Sequence, residues 1–337
     1  MRKIRFLSSR SKEIRESKFL VLFKIFKKGG RDMSRKLKVN LFSLGTIFFW
    51  SLAFPFSKLA MEHFTPYTLG FLRVLIASVT LLIIGKFAGN RSPKKRDLLW
   101  FLLSGACGFG FYLFAFNKGI QTLTSASSSI VIAMTPVFTA VAANYIYKEK
   151  LNIIGWVTLI TAFSGVVIMM LWDGVLSINE GIFWTLGASI LFCIYNLLNR
   201  KLSTLGYKAI EIVTYSMMAS VLVLSPFALK GAKEVATADI SQLTVLLILG
   251  IFSSAIAYYL WSLALSITDN ISDVTNYSFV TPFGATILGS LILKEVPGMG
   301  TLIGGAIIIL SIIIFSKKGK KAFNPNQIEK LKDDFEN

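Results

Sequence analysis

Thr135-Pro136 and Thr281-Pro282 each interrupt an apolar stretch, and each is followed at the same distance by a basic-acidic pair, Lys148-Glu149 and Lys294-Glu295. The offset is 146 residues in both cases. Aligned without gaps, residues 105–150 and 251–296 also match Tyr112 with Tyr258, Thr122 with Thr268 and Ile146 with Ile292. Seven identities in 46 positions carry little weight alone. Proline and acid at equivalent depths in equivalent helices carry more, and the chain reads as a duplicated helical bundle of the kind used for transport.

With 54% apolar residues, 28 phenylalanines, 16% charged residues and a mean hydropathy of +0.63, the chain exposes too much hydrocarbon for a water-soluble domain. An all-α integral membrane protein is expected. The 36 Lys and Arg against 18 Asp and Glu do not mark a nucleic-acid binder, because the basic residues lie in the tails and short loops rather than among exposed aromatics.

Ten stretches suffice for a hydrocarbon core that takes roughly 20 apolar residues: 39–61, 67–87, 97–118, 124–147, 151–172, 180–200, 209–229, 241–266, 271–293 and 298–316. Placing the N-terminus in the cytoplasm leaves 30 of the 36 Lys and Arg on that side, with Lys118, Lys230, Lys233 and Lys294 opposite and Lys58 and Arg73 inside or near helix ends. Both termini are then cytoplasmic. Each half holds five spans, an odd number, so the expected architecture is ten transmembrane helices as two inverted five-helix repeats. The repeats cover 39–172 and 180–316, between a basic tail, 1–38, and a C-terminal tail, 317–337. The acidic loop from Asp173 to Glu180 is too short for a flexible linker, so the halves form one membrane domain.

The segment Lys18 to Lys28 is too short to span and lacks a small-residue cleavage site. It is either a basic surface helix or, the reading preferred here, untranslated: Lys28-Gly29-Gly30-Arg31-Asp32 before Met33 is what a purine-rich bacterial ribosome-binding sequence encodes. Translation is then expected to start at Met33.

Cys107 and Cys193 fall inside spans, and two cysteines build neither a disulfide framework nor a metal set. His63 is the single histidine and is expected in an outer loop. Metal-dependent, His-based and Ser-His chemistry thus lack material, and with no nucleotide-binding loop ATP is not the direct energy source. No enzyme, cofactor or metal is expected.

Trp50 eight residues before Lys58, Arg73 in the second span, the mid-span Pro136 and Pro282, and Glu149 and Glu295 closing spans four and nine resemble the EamA branch of the drug/metabolite transporter superfamily. The resemblance covers 39–316. Phe192 stands where the second half would carry tryptophan, and Tyr215 where it would carry an arginine like Arg73. The resemblance implies transport of amino acids, nucleotide-like metabolites, vitamins, quaternary amines or drugs, with spans five and ten at the periphery supporting the halves or a homodimer.

Proline inside a helix removes a donor and frees the carbonyl four residues back, here those of Ile132 and Ser278. In lipid these need partners: the hydroxyls of Thr135 and Thr281, a neighbouring helix or a water-filled cavity. Pro136 and Pro282 are therefore either hinges beside a midplane substrate site or packing devices. Candidate substrate-binding residues near that depth are Trp50, Phe54, Tyr112, Thr135, Tyr195, Asn196, Tyr258, Trp261, Asn276, Tyr277 and Thr281, whose polar groups are costly against lipid. As a set, with Tyr259, they suggest stacking and hydrogen bonding, or a cation held on aromatic faces. Asp273, in the first turn of span nine, either relays protons or favours the helix dipole. Lys58 with Glu295 outside and Arg200 with Glu149 inside are candidate cross-half gates, although neighbouring lysines offer simpler partners.

The expected function is a secondary transporter in a bacterial plasma membrane, exporting small organic metabolites such as amino acids or amine-type compounds by alternating access. The alternative is a lipid flippase or scramblase-like protein.

Overall fold

The computed structural model describes residues 34–146, 152–172, 180–268 and 271–318, and among these every regular element is helical. Glu149, the residues from Asp173 to Asn179, the tails 1–33 and 319–337, and with them the question of Met33, lie outside the described residues. Among the described residues eight helical runs are long and apolar enough to cross a bilayer: Arg35–Ala60, Pro66–Ala88, Lys95–Thr122, Ser125–Ile146, Glu180–Thr204, Ala209–Thr237, Ile240–Ile267 and Asn276–Leu293. Ile153–Ile168 and Met299–Phe315 are shorter apolar helices, where the sequence suggested a fifth and a tenth full span.

In chain order the α-helices are α1 Arg35–Ala60, α2 Pro66–Ala88, α3 Leu98–Gly105, α4 Phe111–Thr122, α5 Ser125–Ile132, α6 Thr135–Ile146, α7 Ile153–Leu171, α8 Glu180–Thr204 and α9 Ala209–Leu224. They continue with α10 Ala228–Thr237, α11 Ile240–Ile248, α12 Ala257–Ile267, α13 Ile271–Thr275, α14 Thr281–Leu293 and α15 Met299–Lys318. Local signals set several ends: Pro66 at the first turn of α2 and Gly89 in the left-handed region after it, Thr124 accepting from Ser127 N ahead of α5, and a reciprocal Asp239–Gln242 cap on α11. Asp273 falls in the short α13.

Both threonine-proline runs are broken. α5 ends at Ile132 and a fresh helix starts at Thr135, while a 3₁₀ stretch, Asn276–Val280, precedes α14. Pro136 and Pro282 thus stand in the first turn of new helices, where a missing amide costs little. A π-helical stretch, Ala106–Gly110, joins α3 to α4, and another, Leu249–Ile256, joins α11 to α12. They overlap under the 146-residue offset and end at equivalent residues, Gly110 and Ile256.

The packing partners exchange between halves. α4 lies on α8 as α12 lies on α1, α6 on α8 as α14 on α1, and α2 on the second π stretch as α9 on the first. α7 packs along α15, and α2 along α9. Gly105 lets α3 approach α9 closely: a Cβ there would sit 2.3 Å from the Ser216 carbonyl oxygen.

Opposite the Lys58 end of the bundle, the loop after α2 is clamped to the start of α9. The fully buried Glu211 carboxylate accepts from Arg91 N (2.9 Å), Nε (3.2 Å) and Nη2 (3.3 Å) and from Lys208 N (2.8 Å). Tyr207 Oη donates to Asp97 (2.6 Å) and accepts from Lys94 N (3.0 Å), and loss of solvent together with the Asp97 bond holds this phenol above its ordinary pKa. Glu211→Ala strands two backbone amides and should cost about 2–3 kcal/mol, read as a lowered unfolding temperature of the detergent-solubilised protein. An unchanged temperature would mean the clamp contributes nothing.

Candidate functional site

α1, α2 and α4 from the first half and α8 and α12 from the second meet around a cavity of about 30 Å³, room for about one water molecule. Its walls are mostly aromatic: Trp50 and Phe54 of α1, Tyr112 and Phe116 of α4, Phe192 of α8 and Tyr258 of α12. Ala53, Arg73, Leu113, Ile132, Ser278 and Thr281 complete it. Three pairs of wall residues are repeat equivalents, Tyr112 with Tyr258 and Ile132 with Ser278 at an offset of 146 and Trp50 with Phe192 at 142. The cavity therefore lies where equivalent parts of the halves face each other. Trp50 touches Phe192 edge-on, centroids 5.3 Å apart, and Tyr258 at 5.2 Å.

Of the residues suggested by sequence, Trp50, Phe54, Tyr112, Tyr258 and Thr281 line this space. The others stand behind or beside it. Trp261 Nε1 donates to Asn196 Oδ1 (2.9 Å), and Asn199 Nδ2 donates to Tyr195 Oη (3.0 Å) and Ser262 Oγ (3.1 Å), tying α8 to α12. Tyr277 Oη donates to Asn40 (2.7 Å), linking the 3₁₀ stretch that also holds Asn276 to α1. Thr135 Oγ1 donates to the Ile132 carbonyl (2.7 Å), the group freed by Pro136. In the second half the Thr281 backbone N–H, not its hydroxyl, bonds the Ser278 carbonyl. Cys107 and Cys193 are free thiols, and no metal-binding cluster occurs among the described residues.

Arg73 was not singled out as a site residue, yet it is 2% exposed and sits on the cavity wall. The signal was present: a lone charge about two turns inside a 23-residue apolar helix is expensive unless it serves a function. Its Nη1 donates to Ser57 Oγ (3.1 Å) and its Nε to Ser254 Oγ (3.3 Å), the latter presented by the second π stretch. Tyr215, its sequence counterpart, packs instead against Phe101 with centroids 5.9 Å apart.

One helical turn beyond Phe54, Lys58 pairs with Glu295 across the halves. Glu295 follows the C-terminus of α14, a position the dipole of that helix disfavours, but the left-handed Lys294 (φ 55°) turns it onto the N-terminus of α5. There Oε2 accepts from Ser125 N (2.7 Å). Gly289 makes the approach feasible, since a Cβ there would come 2.9 Å from both Glu295 Oε2 and Ser125 Cβ. Glu295→Gln keeps an oxygen for Ser125 N and loses only the ion pair, whereas Glu295→Ala loses both. Unfolding temperatures should fall in the order wild type, Gln, Ala, with about 1 kcal/mol per step. Equal temperatures for the two variants would exclude the capping role.

The EamA-like transporter family matches residues 37–171 and again 179–317. A probable terminal-alkyne amino-acid exporter of Streptantibioticus cattleyicolor is 26% identical over 273 residues, covering 81% of this chain and 91% of that protein. An S-adenosylmethionine uptake transporter of Rickettsia prowazekii is 25% identical over 264 residues, covering 78% and 87%. A solved crystal structure shares the fold at 16% identity with a TM-score of 0.58, covering 82% of this chain and 95% of the other. With both halves matched over most of the sequence, the chain belongs to the EamA-like transporter family.

Proposed function

We propose that this chain is a secondary transporter that exports small organic metabolites, amino acids or amine-type compounds, from a bacterial cytoplasm by alternating access. The observation that carries the reading is the cavity at the meeting of repeat-equivalent residues, bounded one turn away by an ion pair between the halves. The exchange of packing partners supports two halves related by inversion, with α7 and α15 counted as the fifth and tenth spans. Positive-inside bias assigns both termini to the cytoplasm and the Lys58–Glu295 pair to the outer side.

In this reading Lys58–Glu295 closes the outer mouth, Arg200 with Glu149 closes the inner one, and Pro136 and Pro282 sit at the points where broken helices swing. At about 30 Å³ the cavity has no room for a metabolite, which suits a closed conformation. The relatives named for amino-acid export and S-adenosylmethionine uptake support small metabolites as cargo. The lipid-handling alternative needs a polar track open to the bilayer. The lateral groove between α5, α14 and α15, about 480 Å³, is lined by apolar groups such as Ile130, Phe283, Ile287 and Leu302 and suits acyl chains rather than headgroups.

Counterflow of labelled L-leucine and L-phenylalanine in proteoliposomes tests the reading. Glu295→Lys and Lys58→Glu should each depress it by about tenfold or more, equivalent to at least 1.4 kcal/mol, and the double swap should recover only part of it, because a lysine at position 295 restores the ion pair but cannot accept from Ser125 N. Additive loss in the double swap would remove the outer gate. Equilibration of a labelled lipid without counterflow would favour the alternative. In a background lacking Cys107 and Cys193, cysteines placed at Ser92 and Ser177 should label from opposite sides, and labelling from one side would overturn the inversion.

A further inference from the structure

The cavity offers donors without matching acceptors. Arg73 carries five N–H groups and a permanent charge, yet among the described residues it bonds only two neutral hydroxyls, those of Ser57 and Ser254, and no carboxylate. Trp50 Nε1, on the same wall, is buried and donates to no group among the described residues. A buried cation without a counter-charge costs several kcal/mol, so a helix that keeps one in its apolar interior gains something elsewhere.

We propose that Arg73 and Trp50 Nε1–H receive the carboxylate of a small monoanionic or zwitterionic metabolite whose body lies among the aromatic rings. This deepens the transporter reading and rests on it. Among the described residues Arg73 is the single charged one on the wall. One positive charge matches one carboxylate and falls short of a phosphate monoester, which carries about −1.5 to −2 near neutral pH. A pure cation, which aromatic walls alone would welcome, meets like-charge repulsion from the guanidinium at low dielectric. Planar guanidinium also binds carboxylate in two-point fashion, and with Nε given to Ser254 and Nη1 to Ser57, Nη2 makes no bond among the described residues.

The test uses the full chain in detergent, with thermal unfolding followed in L-leucine, L-phenylalanine, their carboxamides, their decarboxylated amines, phenylpyruvate and sodium chloride at constant ionic strength. The carboxylate-bearing compounds should raise the midpoint by at least about 2 °C. The amides, the amines and chloride should not. Arg73→Gln should abolish the shift and Trp50→Phe, which keeps a ring and removes only the N–H, should reduce it. The unloaded Arg73→Gln protein should unfold no earlier than wild type, because an uncompensated charge has been removed; should it fail to fold, Trp50→Phe carries the test. Stabilisation by amines or amides equal to that by carboxylates, a shift that survives both substitutions, or no shift from any carboxylate would overturn the proposal. Counterflow of amines without carboxylate-specific stabilisation would sink this site and leave the transporter reading standing. Carboxylate stabilisation without counterflow would do the reverse.

Discussion

In hydrocarbon every backbone N–H and C=O must find its partner within the protein, and the interruption of helices at Thr135-Pro136 and Thr281-Pro282 is shaped by that demand. The two halves meet it differently. In the first, a threonine hydroxyl takes the freed Ile132 carbonyl; in the second, a 3₁₀ turn lets the Thr281 amide take the Ser278 carbonyl. Both carbonyl-bearing residues end up on the cavity wall, so the breaks bring backbone ends to the centre of the bundle without leaving those groups exposed to lipid. The aromatic box, Arg73 and the ion pair are arranged around this solution.

Much of the bundle was legible because hydrophobic length and the 146-residue offset are coarse signals that survive sequence divergence. The offset also located the paired tyrosines on the cavity wall. The breaks within helices were less legible: proline advertises an interruption but does not say whether a kink or a new helix follows. The π stretches had no local signature, since Ala106–Gly110 and Leu249–Ile256 read as ordinary apolar helix and only packing distinguishes them.

The candidate site was legible by residue type and less so by direction. Asn196 and Trp261 have the polarity of binding residues, yet Trp261 Nε1 donates to Asn196 Oδ1 between α8 and α12 rather than to the cavity. Phe116 and Leu113 reach the wall without any polar mark. Glu295 illustrates a related difficulty: sequence places it at the wrong end of its own helix, and only the left-handed turn at Lys294 brings it to the right end of another. Helix dipole arguments applied along one element miss such transfers.

The difference between Arg73 and Tyr215 has a consequence for the duplicated cavity. Two identical halves would present a small molecule with two equivalent orientations, related by a half-turn, and neither end of the cargo could be told from the other. Placing the only charge on one wall lifts that degeneracy. In the alternating-access reading proposed above, a symmetric cradle becomes one with a head and a foot, and a bound molecule would keep the same end against the same helix whichever mouth is open.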